Sequence, residues 1–189
     1  MIRVFPIAAP TFLTNSFGEA RGARPHQGND LFAEEGAPLV AVDDGLLRSG
    51  TDPLGGNIAN LYASDGTRYY YAHLLAFADQ NGSPGPFAPP PRQVRAGDTI
   101  GFVGRTGNAQ GTQPHLHFEE HPGNGPAVDP FPALERAPRV SAKRASAPSS
   151  VPSNVIPAIA LLLGIGTIVA WSVAYPRDAQ ALWRRLTTV

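Results

Sequence analysis

Residues 115–119 read His-Leu-His-Phe-Glu, and the fold turns on how that run is read. As a β-strand, with its side-chain period of two, it puts His115, His117 and Glu119 on one face and aims Leu116 the other way, into a core. Two rings spaced about 7 Å apart along a strand, from a rise of ~3.3 Å per residue, are too far apart to be ideal as two ligands of one metal ion. The spacing suits one ligand and one neighbour aimed at the metal's open position.

Working outward, the neighbouring text has the same character. Short apolar runs at 39–42, 58–62, 68–73 and 99–103 are punctuated by Asp43-Asp44-Gly45, Ser64-Asp65-Gly66 and Ala96-Gly97-Asp98. Strands of four to six residues between Asp-Gly turns predict a mainly β, antiparallel domain. The 20 Gly and 20 Pro favour such a loop-rich body over a helix bundle. Five prolines among residues 79–93 exclude a central strand there and predict a long surface loop, either reshaping one wall of a groove or simply a tolerated insertion. Gly101, Gly104 and Gly107 read as turns and bulges rather than a phosphate loop, which needs a Gly-Lys-Ser/Thr ending.

The balanced charge, 15 basic against 15 acidic side chains, hides an asymmetry: residues 1–135 carry 8 and 14, residues 136–189 carry 7 and 1. An acidic body argues against nucleic acid as a partner. Residues 155–175 are uncharged and apolar, and 21 residues at 1.5 Å each span roughly 31 Å, the thickness of a bilayer core. They are expected to form one transmembrane helix, with Trp171 and Tyr175 at one interface. The Ser, Ala and Pro of 136–154 read as a flexible tether, and 176–189 as a short basic tail. Pro6 and Pro10 interrupt the only candidate for a signal peptide. The flanking charges place the C-terminus in the cytoplasm and the body, residues 1–135, outside it, as a single-pass membrane protein.

With no Cys, any metal must sit on His and carboxylate. His26 and Asp30, four residues apart, turn to one side, and Gly28 lets the backbone bend closely around them. A catalytic zinc takes three protein ligands and keeps one position for water. His26, Asp30 and one ring of the His115/His117 pair make three, leaving the other ring and His73 for general-base and oxyanion work. The count alone does not choose between His115 and His117.

His26-x-x-x-Asp30, Tyr71-Ala-His73-Leu and His115-Leu-His117-Phe-Glu119, in the setting of Ser16-Phe-Gly, Gly36-Ala-Pro-Leu-Val-Ala-Val-Asp-Asp-Gly45, residues 94–104, Thr106-Gly-Asn and Val128-Asp-Pro-Phe, resemble the three motifs of lysostaphin/LytM-type zinc endopeptidases. The resemblance covers roughly residues 5–135. It implies a small antiparallel β domain with a peptide groove, a zinc ion held by His26, Asp30 and His117, and a catalytic pair, His115 and His73. The implied reaction is hydrolysis of amide bonds in the peptide part of peptidoglycan. Two rival expectations stand beside it: a non-catalytic peptidoglycan-binding or hydrolase-activating module on the same fold, and a tail-anchored protein facing the cytoplasm. Glu119 is read either as orienting a ligand ring or as a rim charge, and Tyr71 as sharing the face of His73 and lining the groove or donating to substrate, although its neighbours Tyr69 and Tyr70 suggest that much of this aromatic content is sheet packing. His121, before Pro122-Gly, reads as a solvated turn residue. Asn29 stands where such domains carry an apolar residue and is expected to loosen the packing behind Asp30.

Overall fold

The structure is a computed structural model, and it describes residues 1–22 and 24–141. The apolar 155–175 stretch, the 176–189 tail and residues 142–154 of the tether lie outside the described residues. The strands are β1 (Phe12–Leu13), β2 (Ala20–Arg21), β3 (Arg24–Pro25), β4 (Asn29–Phe32), β5 (Pro38–Val40), β6 (Gly45–Asp52), β7 (Gly56–Ala63), β8 (Arg68–Ala72), β9 (Ala76–Ala78), β10 (Pro84–Gly85), β11 (Arg92–Val94), β12 (Thr99–Phe102) and β13 (His115–His121). One short helix, α1 (Phe131–Arg136), follows. Among the described residues no helix is long and apolar enough to cross a membrane.

Seven strands form one antiparallel sheet in the order β1-β4-β13-β8-β7-β6-β11, and four form a second in the order β10-β9-β12-β5. A bulge between Thr99 and Gly101 in β12 accounts for part of the glycine-rich run. The expected alternation holds in β13: Leu116 and Phe118 are fully buried, while the odd-numbered side chains face the other way. One core gathers Leu31, Leu61, Tyr69, Leu116 and Phe118 from the large sheet with Leu39, Phe77 and Ile100 from the small one. Each such side chain contributes roughly 1.5–3 kcal/mol by leaving water.

Tyr71 belongs to this core and does not line a groove. It is fully buried, its ring meets Phe118 edge-on at 5.2 Å, and its hydroxyl donates to Val40 O and accepts from Val42 N. The reason is local. Strand β8 ends at Ala72, and His73 takes a left-handed φ of 67°. The two-residue parity that would place Tyr71 and His73 on one face breaks at that bond.

The proline-rich stretch does not stay wholly irregular. Residues 84–85 pair along the edge of the small sheet, and 92–94 form the far edge of the large one, with three strands between them and β13. Proline sits at edges because it cannot donate to a ladder. At the other end of the body, the fold continues past residue 135. The Phe5 amide donates to Pro138 O at 2.9 Å, and the Arg139 guanidinium lies 3.9 Å from the centre of the Phe5 ring.

Candidate metal centre and active site

The face of the large sheet opposite the core carries the chemistry. Strand β13 lies between β4 and β8 with His117 opposite Asp30 on one side and Ala72 on the other. That register delivers Asp30 beside the His117 ring. His26 arrives from the segment just before β4, which crosses β13 so closely that a Cβ on Gly28 would collide with the Phe118 carbonyl oxygen. Glycine at 28 serves this contact with β13.

Three atoms converge. His26 Nε2 lies 2.8 Å from His117 Nδ1 and 3.2 Å from Asp30 Oδ1, and His117 Nδ1 lies 3.1 Å from Asp30 Oδ1. A tetrahedral zinc with bonds of about 2.0–2.1 Å has ligand atoms roughly 3.3 Å apart, so this triangle fits such an ion with a few tenths of an ångström of adjustment. Among the described residues these are the three that form a candidate metal-binding group. Tautomers agree with that use. His26 donates from Nδ1 to Ser16 O at 2.8 Å, and His117 turns Nε2 to Glu119 Oε1 at 2.9 Å. The nitrogen facing the triangle is in each case the one left over.

Supporting groups surround the triangle, and Ser16 serves both ligands from β4 and its approach. Its carbonyl accepts from His26, and its hydroxyl accepts from the Asp30 amide at 3.1 Å. Asn29 holds Ser16 in turn: Oδ1 accepts from the amides of Ser16 (2.7 Å) and Phe17 (3.2 Å), while Nδ2 donates to Asp129. Asn29 is fully buried, so it tightens the packing behind Asp30 where loosening was expected. An Asn29→Leu variant leaves two amide donors without their acceptor, at a cost of about 1–3 kcal/mol each. A fall of roughly 5–15 °C in melting temperature is expected, and an unchanged melting curve would refute this role for the amide.

Asp30 shares its second oxygen with Arg21 of the β2–β3 hairpin, Nη2 to Oδ2 at 2.7 Å. Burial opposes its charge, but the bonds from His117, His26 and Arg21 win and hold the carboxyl far below the usual range. For His117 burial also opposes the charge, and the hydrogen bonds to Asp30 and Glu119 outweigh it, raising the pKa to about 9 in the metal-free chain.

His115 and His73 flank the triangle with ring centroids 5.0 Å apart, and His73 lies 6.0 Å from His117. Each spends its Nδ1–H on a carbonyl: His115 on Gln113 O at 2.8 Å, His73 on Thr106 O at 2.9 Å. Each therefore keeps Nε2 as an acceptor. His115 Nε2 stands 3.9 Å from Asp30 Oδ1. Burial, then the neighbouring His115, lowers the His73 pKa to about 4, so that ring is neutral at pH 7.

Thr106 is itself fixed by the tight crossing of the β6–β7 turn and Gly107. A Cβ on Gly107 would strike Leu54 O, and its φ of 69° disfavours any side chain. Gly107→Ala should destabilise the fold by roughly 2–4 kcal/mol, from αL strain plus overpacking, and displace the Thr106 carbonyl from His73. An unchanged melting curve would count against that support.

Sequence reasoning missed three neighbours. Arg21 carried no signal of its own. Tyr70, not Tyr71, is the half-buried tyrosine on the site's face; its ring stands edge-on to His117 at 6.2 Å and its hydroxyl donates to Asp52 at 2.7 Å. His121 is buried rather than solvated, with Nε2 2.6 Å from Glu119 Oε2. Glu119 turns one carboxylate oxygen to His117 Nε2 and the other to His121.

Curated proteins are similar to the chain in sequence. The chain is 33% identical over 150 residues to the DD-carboxypeptidase/endopeptidase Mpg of Neisseria meningitidis, covering 79% of this chain and 32% of that protein. It is 37% identical over 118 residues to the glycyl-glycine endopeptidase ALE-1 of Staphylococcus capitis, covering 59% and 30%. The chain thus spans about a third of the length of these curated relatives. In structure it is similar to the catalytic domain of lysostaphin from Staphylococcus simulans, with a TM-score of 0.54 at 30% identity over 66% of this chain and 92% of that one. The sequence profile described as Peptidase family M23 matches residues 24–130, more than half of the chain, and the chain belongs to that family.

Proposed function

We propose that this chain is a zinc-dependent endopeptidase that hydrolyses amide bonds in peptidoglycan peptides and is held at a membrane by residues 155–175, with its body on the extracytoplasmic side. The observation that carries the reading is the triangle of His26, Asp30 and His117, whose outer nitrogens are tied off, beside two rings that each keep Nε2 as an acceptor. Zinc held by these three residues supplies Lewis acidity toward a carbonyl oxygen and toward water.

The remaining steps fall to the chain's own side chains. His115 Nε2 takes a proton from the attacking water and returns it to the leaving amine, so the proton count closes. His73, with its one N–H spent on Thr106, has no proton to give an oxyanion. It accepts from the water and steadies it. Asp30 stays anionic through Arg21, and the Tyr70 ring stands edge-on to His117.

Peptide release from purified peptidoglycan by the full chain, with and without a zinc chelator, tests the reading. Chelator-sensitive release is expected, and mass analysis of the fragments names the bond. No release by a folded, zinc-loaded chain would overturn the enzymatic reading in favour of a binding or activating module. Reporters fused at Met1 and at Val189 test the membrane topology.

A further inference from the structure

Glu119 and His121 lie outside the triangle and outside the flanking pair of rings, yet a continuous run of short bonds joins them to His117. His117 Nε2 lies 2.9 Å from Glu119 Oε1, Glu119 Oε2 lies 2.6 Å from His121 Nε2, and His121 donates from Nδ1 to Gly125 O at 2.8 Å. A carboxylate has two accepting oxygens and no proton, so both ring nitrogens that face it donate.

His121 is in turn fixed from two sides. Residues 122–124 form a tight turn, with Gly123 at a φ of 57°, that brings Gly125 O back onto the ring. Arg68, directly opposite His121 in the β8–β13 register, donates from Nε to Asn124 at 2.9 Å and from Nη1 to Asn60 on β7 at 3.0 Å. The turn is thereby fastened to the sheet. His117, Glu119 and His121 share one face of β13 at successive same-side positions.

We propose that Glu119 and His121 are a positioning pair for the metal ligand His117, a role that rests on the zinc reading above. Glu119 fixes the ring so that Nδ1, and not Nε2, faces His26 and Asp30. His121 keeps the carboxylate from rotating away, and the 122–125 turn keeps His121 in place. Partners of this kind are typically worth 10–100-fold in metal affinity.

The test is zinc affinity of the full chain in detergent micelles, by competition with a chromophoric chelator, with melting temperature in excess chelator as a check of fold. Glu119→Gln should weaken zinc binding about 10–100-fold. His121→Phe should weaken it in the same direction by a smaller factor. The double variant should bind no more weakly than Glu119→Gln, within about twofold, because His121 acts through Glu119. His121→Gln, whose amide nitrogen sits where Nε2 stands, should restore the affinity lost in His121→Phe. A merely structural role would lower all melting temperatures without this non-additivity or rescue. Wild-type affinity in Glu119→Gln, losses that multiply in the double variant, or no difference between His121→Gln and His121→Phe would overturn the pair. A wild-type chain that binds no zinc would overturn the underlying reading, an outcome visible before any variant is made.

Discussion

His117→Ala is expected to lose zinc and, with it, chelator-sensitive release of peptides from peptidoglycan. The substitution removes Nδ1 from a triangle with edges of 2.8 to 3.2 Å and leaves two donors where a stable site needs three. Structural zinc sites with four ligands provide about 10–16 kcal/mol, so one ligand is worth roughly 3 kcal/mol, or about two decades of affinity. Glu119 also loses one of its two donors, which adds to the cost. Zinc titration and peptide release, measured on the same preparation, check both halves. A variant that holds zinc as tightly as wild type and still releases peptides would refute the ligand assignment.

His115→Ala should behave oppositely: zinc affinity stays within a few-fold of wild type while turnover falls by roughly 10²–10⁴. His115 has no atom in the triangle. Its nearest approach is Nε2 to Asp30 Oδ1 at 3.9 Å, and its other nitrogen is committed to Gln113 O. Removing it deletes an acceptor for the proton of the attacking water and leaves the donor set whole. Zinc content by metal analysis beside turnover of a soluble peptidoglycan fragment separates the two effects. Loss of metal in this variant would mean that His115, not His117, is the ligand.

These two outcomes probe a distinction that spacing alone left open. The strand period put both rings on one face and Leu116 in the core, and both hold. Both rings keep one nitrogen free, but His117 Nδ1 lies 3.1 Å and His115 Nε2 3.9 Å from Asp30 Oδ1, distances that no period encodes. The Asp-Gly turns and short apolar runs were legible as antiparallel strands because turn chemistry is local. The failures are failures of parity and of long-range partnership. Tyr71 was placed on the wrong face because the chain changes conformation at His73. Asn29 was read as a polar intruder because its partners, the amides of Ser16 and Phe17, lie more than ten residues back in the chain. His121 looked like a turn residue because Pro122-Gly follows it, and the same turn returns Gly125 O to bury it.

The contact of Phe5 with Pro138 and Arg139 bears on how the body comes to fold. Its two halves are separated by more than 130 residues of chain, so among the described residues the clasp closes late and over a long loop. During synthesis every site residue emerges before the segment that completes the clasp. Phe5, buried in the finished fold, stays uncovered on that side until Arg139 has left the ribosome. Closure of the core at Phe5 thereby waits on nearly complete translation of the described body, an order set by where residues 138 and 139 fall in the chain.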